Sequence, residues 1–263
     1  MENRARPLPA AIFLIAVLAW IILPTASAAA EETFLTVHVK AKGSKFIGSS
    51  MGGARVLVTD AQTGEVLAKG KTKGGTGDTG LIMSGEKGGK DPISRGAAEF
   101  KTSIDIERPR KITVTASGPV AQPQATATAS STQWVVPGGD VTGGNAWMLE
   151  LPGMVVDATA PAVLEVMQGV PQTVDFEASV RMACGCPLVP GGIWDPEGMR
   201  IRVVLFRDGK KQSSFGLRYG GRPSYFRGSA RIEEPGLYEA LIYAFDPSDG
   251  NTGLDRMTFL LRE

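Results

Sequence analysis

Histidine is almost missing from this chain: His38 is the only one in 263 residues. Enzymes that activate a serine or cysteine through an imidazole need that ring beside the nucleophile. His38 instead lies in alternating sequence, between Val37 and Val39, with no nucleophile motif nearby. Histidine-assisted hydrolase chemistry is therefore not expected. Glycosidase-type chemistry needs two carboxylates brought together, and no pair stands out along the chain. Cysteine is nearly as scarce. Cys184 and Cys186 are too few to staple a miniprotein. Excess charge is lacking as well, since 28 Lys and Arg face 27 Asp and Glu. That balance removes the basic footprint that nucleic acid demands, and it gives no support to a polybasic membrane contact. Beyond the first 30 residues there is no long hydrophobic run, and no capped helical periodicity.

What is present begins with a leader. Arg4 and Arg6 form a positive start, residues 10–23 an apolar run, and residues 24–30 a mostly small-residue end. Ala26-Ser27-Ala28 and Ala28-Ala29-Ala30 both fit a cleavage site, so residues 1–30 read as a secretory signal. The apolar run is shorter than the roughly 20 residues that cross a bilayer core. The expected location is periplasmic or secreted, facing an exported protein or cell-envelope partner. Membrane attachment is expected only if the leader stays uncleaved.

The remainder is glycine-rich, with 33 in the chain, and reads as many strands joined by turns. Leu35, Val37 and Val39 alternate with Thr36, His38 and Lys40, a half-buried strand pattern. Ala54, Val56 and Val58 repeat it, a turn at Thr63-Gly64 follows, and residues 65–69 return; 98–106 and 111–117 give two more strands. The strand ending in Asp60, the Thr63-Gly64 turn and the returning strand resemble the opening of transthyretin-like or carboxypeptidase regulatory-like β-sandwiches. That resemblance covers residues 33–118 and implies a binding or structural module without peptidase activity. The Gly- and Lys-rich segment 70–96 departs from it and reads as a flexible surface excursion. Asp78-Thr79-Gly80 within this segment matches an aspartic-protease triplet, but it has no second copy and no apolar frame. Residues 31–120 are taken as the first sandwich and 121–153 as a linker or extra strands, with a boundary near Pro152-Gly153.

In residues 154–263, Val174, Phe176, Ala178 and Val180 share one strand face. Asp208-Gly209 marks a two-residue hairpin after the strand at 202–206, and 214–219, 229–232, 237–245 and 257–261 supply further strands. The run Gly236-Leu237-Tyr238, Ala244-Phe245-Asp246 and Gly250-Asn251 resembles the last two strands of bacterial immunoglobulin-like domains. It implies a Greek-key sandwich with Tyr238 as a packing or corner residue. Asp246, Asp249 and Asn251 read as turn formers rather than calcium ligands, because the calcium-loop spacing is absent. The fold class expected is all-β: two β-sandwich domains after a signal peptide.

The chemistry concentrates at Met182-Ala183-Cys184-Gly185-Cys186-Pro187. On an unbroken strand, residues two apart face the same side, which aligns the sulfurs of Met182, Cys184 and Cys186. Such a set suits copper or zinc, with Met199 approaching from beyond the loop. An oxidising compartment instead favours a Cys184–Cys186 disulfide. Its obstacle is spacing, since an extended pair sits roughly 6.5–7 Å apart and a bridge wants about 5.5 Å. Buried free thiols extending the core are a third reading. Trp194 reads as a lid over this turn or as part of a partner surface. Arg218, Tyr219, Arg222, Tyr225, Phe226 and Arg227 form an aromatic and basic cluster suited to a partner or glycan, or to an ordinary hairpin rim. The functional expectation is a non-enzymatic exported module for binding, scaffolding or adhesion, with no cofactor. Copper or zinc handling at the sulfurs is the alternative.

Overall fold

The computed structural model describes residues 29–83, 93 and 95–263. Most of the leader, residues 1–28, therefore lies outside the described residues, as do 84–92 and 94 of the glycine- and lysine-rich segment. The regular structure of the described residues is nearly all strand. Seven strands build the first half: β1 (Glu31–Ala41), β2 (Arg55–Asp60), β3 (Val66–Lys71), β4 (Phe100–Ile106), β5 (Arg110–Gly118), β6 (Ala127–Val135) and β7 (Trp147–Leu151). They form two sheets, ordered β4-β1-β7 and β3-β2-β5-β6, with β7 parallel to β1. The inward positions of β2 and β5 are Val56, Val58, Ile112, Val114 and Ala116, which meet Leu35, Val37 and Val39 of β1 in the core. Residues 121–153, where composition left a linker or extra strands open, contain β6 and β7.

The hairpin between β2 and β3 is organised by Asp60. Its carboxylate accepts the amides of Thr63 at 2.9 Å and Gln62 at 2.8 Å and faces Arg110. The Thr63 and Gln62 amides, then the Arg110 guanidinium, hold this carboxyl below its ordinary 3.8. A depressed carboxyl stabilises the fold above its unfolded pKa, and that contribution is lost as pH falls through the folded one. We therefore expect Asp60→Asn to flatten the acid limb of stability below about pH 4, measured by urea titration across pH.

Nine strands build the second half: β8 (Met154–Ala160), β9 (Glu165–Gln168), β10 (Gln172–Met182), β11 (Arg200–Arg207), β12 (Lys210–Gly216), β13 (Arg218–Tyr219), β14 (Tyr225–Ile232), β15 (Gly236–Phe245) and β16 (Thr252–Arg262). The sheets are β13-β14-β10-β8 and β12-β11-β15-β16-β9, with β9 parallel to β16 and the other pairs antiparallel. Lettered A, A′, B, C, C′, D, E, F, G along the chain, these become ABED facing A′GFCC′, the immunoglobulin arrangement. The β15 start carries the matching corner: Tyr238 Oη donates to the Glu234 carbonyl at 2.8 Å, and its ring stacks on Phe259 at 5.4 Å. The second half is thus an immunoglobulin-like β-sandwich. Tyr238→Phe should cost about 1 kcal/mol of unfolding free energy, with the denaturant slope unchanged.

The predicted face of β10 is core: Val174, Phe176, Ala178 and Val180 are all buried, and Phe176 meets Phe215 and Phe259 edge-on. The Asp208-Gly209 hairpin forms as expected, both residues at positive φ (50° and 77°), as a type I′ turn requires. The expected continuous strand 214–219 is instead broken. Leu217 is buried, and there the chain leaves β12 in one sheet to become β13 in the other.

Two expectations for the first half change. β1 is not half-buried. Thr36 and His38, on its supposed polar side, are as buried as their neighbours. His38 is covered by a small cluster of Phe46, Ala97 and Ala98, against which Ile82 and Ile93 pack. Part of segment 70–96 therefore does structural work: Lys73 pairs with Glu99, Gly75 pairs with Ala97, and a short helix at Thr79–Met83 follows. Asp78 accepts the Leu81 amide at 2.8 Å at the start of that helix, a turn-capping geometry.

Candidate functional site

The cysteine turn sits where the two sandwiches meet. β10 stops at Met182, and the chain reverses. The Gly185 amide donates to the Met182 carbonyl at 2.8 Å, and the Met182 amide to the Cys186 carbonyl at 3.0 Å. Gly185 takes a φ of 85°, a conformation that costs an L-residue roughly 1–2 kcal/mol. This turn draws the Cys184 and Cys186 Cα atoms to 5.5 Å, the separation a bridge needs, and the two sulfurs are joined. The extended i, i+2 geometry that would have aligned three sulfurs on an open edge does not occur. Met182, Cys184 and Cys186 are all buried.

What buries them comes from the other sandwich. Ser44, fully buried in the loop after β1, places Oγ 2.9 Å from Cys184 Sγ, and with that sulfur bridged the hydroxyl is the donor. A methyl group added at Gly185 would stand 2.8 Å from the Met51 sulfur, so this backbone rests on the 3₁₀ turn at Ser49–Met51. Trp194 Nε1 donates to the Gly43 carbonyl at 3.0 Å. Asn251, completely buried, donates from Nδ2 to the Lys42 carbonyl at 3.1 Å and accepts the Gly153 amide at 2.9 Å. Lys42 in turn donates its ammonium to the Asp249 carbonyl. The three residues Lys42-Gly43-Ser44 are thus held by three separate parts of the second sandwich: the cysteine turn, the Trp194 loop and the 246–251 turn. On the far side of the junction, Gln124 Nε2 donates to the Val156 carbonyl at 3.1 Å and to Asp157. The apolar core runs through this junction as one cluster, from Ile47 and Met51 to Ala183 and Leu188.

The turn-former reading of Asp246 and Asp249 is matched by their bonds, Asp246 to Ser248 and Asp249 to Asn251. The remaining site candidates scatter. Met199 lines a separate cavity of about 290 Å³ with Leu217, Tyr219 and Phe226. Phe226 is only 2% exposed and meets Tyr219 edge-on at 6.0 Å, so it belongs to the core and not to a partner surface. Its inward position follows from β14 alternation, which sends Tyr225 outward. Arg222 stacks on Tyr225 at 4.0 Å, while Tyr225 Oη donates to Glu177, whose carboxylate raises the phenol pKa. Arg218 borders a neighbouring groove with Asp175, Glu177 and Arg227. Trp194 is half-buried and committed to Gly43, closer to the lid reading than to a free patch.

His38 has its own setting. Nδ1 lies 2.9 Å from the Ala98 carbonyl and is its donor, and Nε2 stands 4.0 Å from Glu99, which pairs with Lys101 at 2.7 Å. These residues border an open groove of about 1000 Å³ with Phe34 and Asp140, on the outer side of the β4-β1-β7 sheet.

No family model matches the chain, and no curated protein matches it. Solved structures with some likeness include an engineered protein (12% identity, TM-score 0.32, covering 49% of this chain and 24% of that one). Fibronectin(III)-like modules of Clostridium thermocellum CbhA are 13% identical, with a TM-score of 0.29, covering 88% of this chain and 94% of that one. A DUF3823 family protein from Bacteroides uniformis is 12% identical, with a TM-score of 0.29, covering 88% and 100%. The chain spans about a quarter of the length of the engineered protein. The immunoglobulin-like assignment rests on the strand order and the tyrosine corner.

The sequence did not point to Ser44 and Met51 as partners of the cysteine turn. They lie about 140 residues away along the chain from Cys184, beyond any local pattern. The one available signal was the Lys42-Gly43-Ser44 interruption after a strongly alternating strand.

Proposed function

We propose that this protein is an exported, non-enzymatic scaffold or binding module in which two β-sandwiches are clasped into one rigid body. The carrying observation is the use made of its most reactive residues. Both cysteines are bridged and buried between the sandwiches, under Ser44 and Met51. A buried bridge at a domain junction suits a compartment where disulfides persist, in keeping with the leader at residues 1–30. As a loop-closing staple it is weak, worth only about 1.6 kcal/mol of chain entropy for so small a ring. Its role is local: it fixes the turn that presents Gly185 to Met51.

The test is intact mass and metal content of protein purified from the periplasm. The expected species lacks the leader, is two hydrogens lighter than its reduced form, and carries no stoichiometric metal. Copper or zinc at one per chain, lost when both cysteines become serine, would replace this reading with metal handling at Met182, Cys184 and Cys186.

A further inference from the structure

The outer face of the β3-β2-β5-β6 sheet carries a charge pattern that the rest of the molecule does not explain. Alternation along β2 and β3 turns Arg55, Leu57, Lys69 and Lys71 outward, and the register sets Lys71 opposite Arg55 and Lys69 opposite Leu57. Lys73 continues the row beyond β3. Along β5 and β6 the same face carries Lys111, Thr113, Thr115 and Ser117, paired with Trp134, Thr132, Ser130 and Thr128. This face holds five cations; its four strands put no carboxylate on it, and Glu99, across the backbone bridge from Lys73, is bound to Lys101. None of the five cations is in an ion pair among the described residues, although the chain as a whole is charge-balanced. A shallow groove of about 630 Å³ runs over it, lined by Arg55, Leu57, Lys69, Lys71, Thr115 and Ser117.

We propose that this face binds an acidic polysaccharide, one whose sugar units carry carboxylates. Same-side residues recur about every 7 Å along a strand, and neighbouring strands lie about 4.8 Å apart. The result is a surface about 20 Å long, with four of the five cations toward one end and an indole beside Lys111 at the other. Uncompensated cations in a row match a chain with repeating negative charge. Hydroxyls both donate and accept, so the Thr and Ser rows can meet sugar hydroxyls in either sense. Trp134 is 60% exposed, and its ring offers an apolar platform for the C–H face of a pyranose. A folded acidic protein would complement the lysines but would leave the hydroxyl rows and the indole without a role. The proposal rests on the export reading only for where the two would meet; binding itself is independent of it.

The experiment is affinity electrophoresis of the purified protein in gels containing polygalacturonate, neutral dextran or poly-glutamate. Polygalacturonate should retard the protein, less so at higher salt, and dextran should not. The Lys69→Ser/Lys71→Ser/Lys73→Ser variant should bind polygalacturonate at least about tenfold more weakly. Trp134→Ala should also weaken it while leaving the salt dependence unchanged. All four positions are exposed, and matching melting midpoints will show that the variants are folded. No retardation by polygalacturonate, or retardation untouched by both variants, would overturn the proposal. Equal retardation by poly-glutamate with no effect of Trp134→Ala would overturn it in favour of an acidic protein partner. Loss of polysaccharide binding in protein whose mass shows the bridge would leave the clasp reading standing.

Discussion

Asn251→Ala will lower the unfolding free energy by about 3 kcal/mol, read from urea titrations at neutral pH. The side chain is fully buried, and its amide serves both sandwiches at once. Nδ2 donates to the Lys42 carbonyl and Oδ1 accepts the Gly153 amide. Alanine removes both bonds and leaves a part-buried carbonyl and a part-buried amide without their partner. Each stranded group costs about 1–3 kcal/mol, which puts two of them well above the ordinary mutational effect. Thr252→Ala, at the exposed neighbouring position, should stay within about 0.5 kcal/mol. A loss at Asn251 no larger than that would mean the Lys42 loop is not held as described.

Gly185→Val should be of similar size, also about 3 kcal/mol, for two separable reasons. A β-branched residue must adopt a φ of 85°, and its first side-chain carbon would stand 2.8 Å from the Met51 sulfur. The backbone part belongs to the turn alone. The steric part belongs to the junction, so removing the thioether should relieve it. In a double-mutant cycle with Met51→Ala, we expect a favourable coupling of about 1 kcal/mol or more between residues on different sandwiches. Strict additivity would mean that the cysteine turn and the 3₁₀ turn do not press on each other.

The parts of the fold that could be read along the chain are those set by local periodicity. Val174, Phe176, Ala178 and Val180 announced the buried face of β10, Asp208-Gly209 its type I′ hairpin, and Gly236-Leu237-Tyr238 the corner that opens β15. Other elements were harder because their cause is not local. β9 is four residues long and exists because β16 offers it a parallel edge. The sheet switch at Leu217 reflects a buried side chain rather than a turn residue. Thr36 and His38 looked like a solvent face because alternation records only that the two sides differ. It carries no sign of Phe46 and Ala98 arriving from elsewhere to cover the second side at His38.

At the candidate site, the reactive residues were legible and their setting was not. A run of Met182, Cys184 and Cys186 reads as three aligned sulfurs only while the strand continues. Gly185 ends that continuity by taking a positive φ, and the turn brings the sulfurs of Cys184 and Cys186 together. Which surface then covers them depended on Ser44 and Met51, far away in sequence. Phe226 shows the opposite failure. Next to Tyr225 and Arg227 it looked like part of an exposed cluster, yet strand alternation turns it into the core.

The most direct test of the clasp is calorimetric unfolding of the bridged protein beside Asn251→Ala. If the two sandwiches share one core and one junction, the protein will show a single transition with equal calorimetric and van't Hoff enthalpies. Asn251→Ala will then shift that whole transition to lower temperature. Two resolved transitions in the unaltered protein, with only one moved by Asn251→Ala, would contradict the account and leave two independent domains joined by a passive contact.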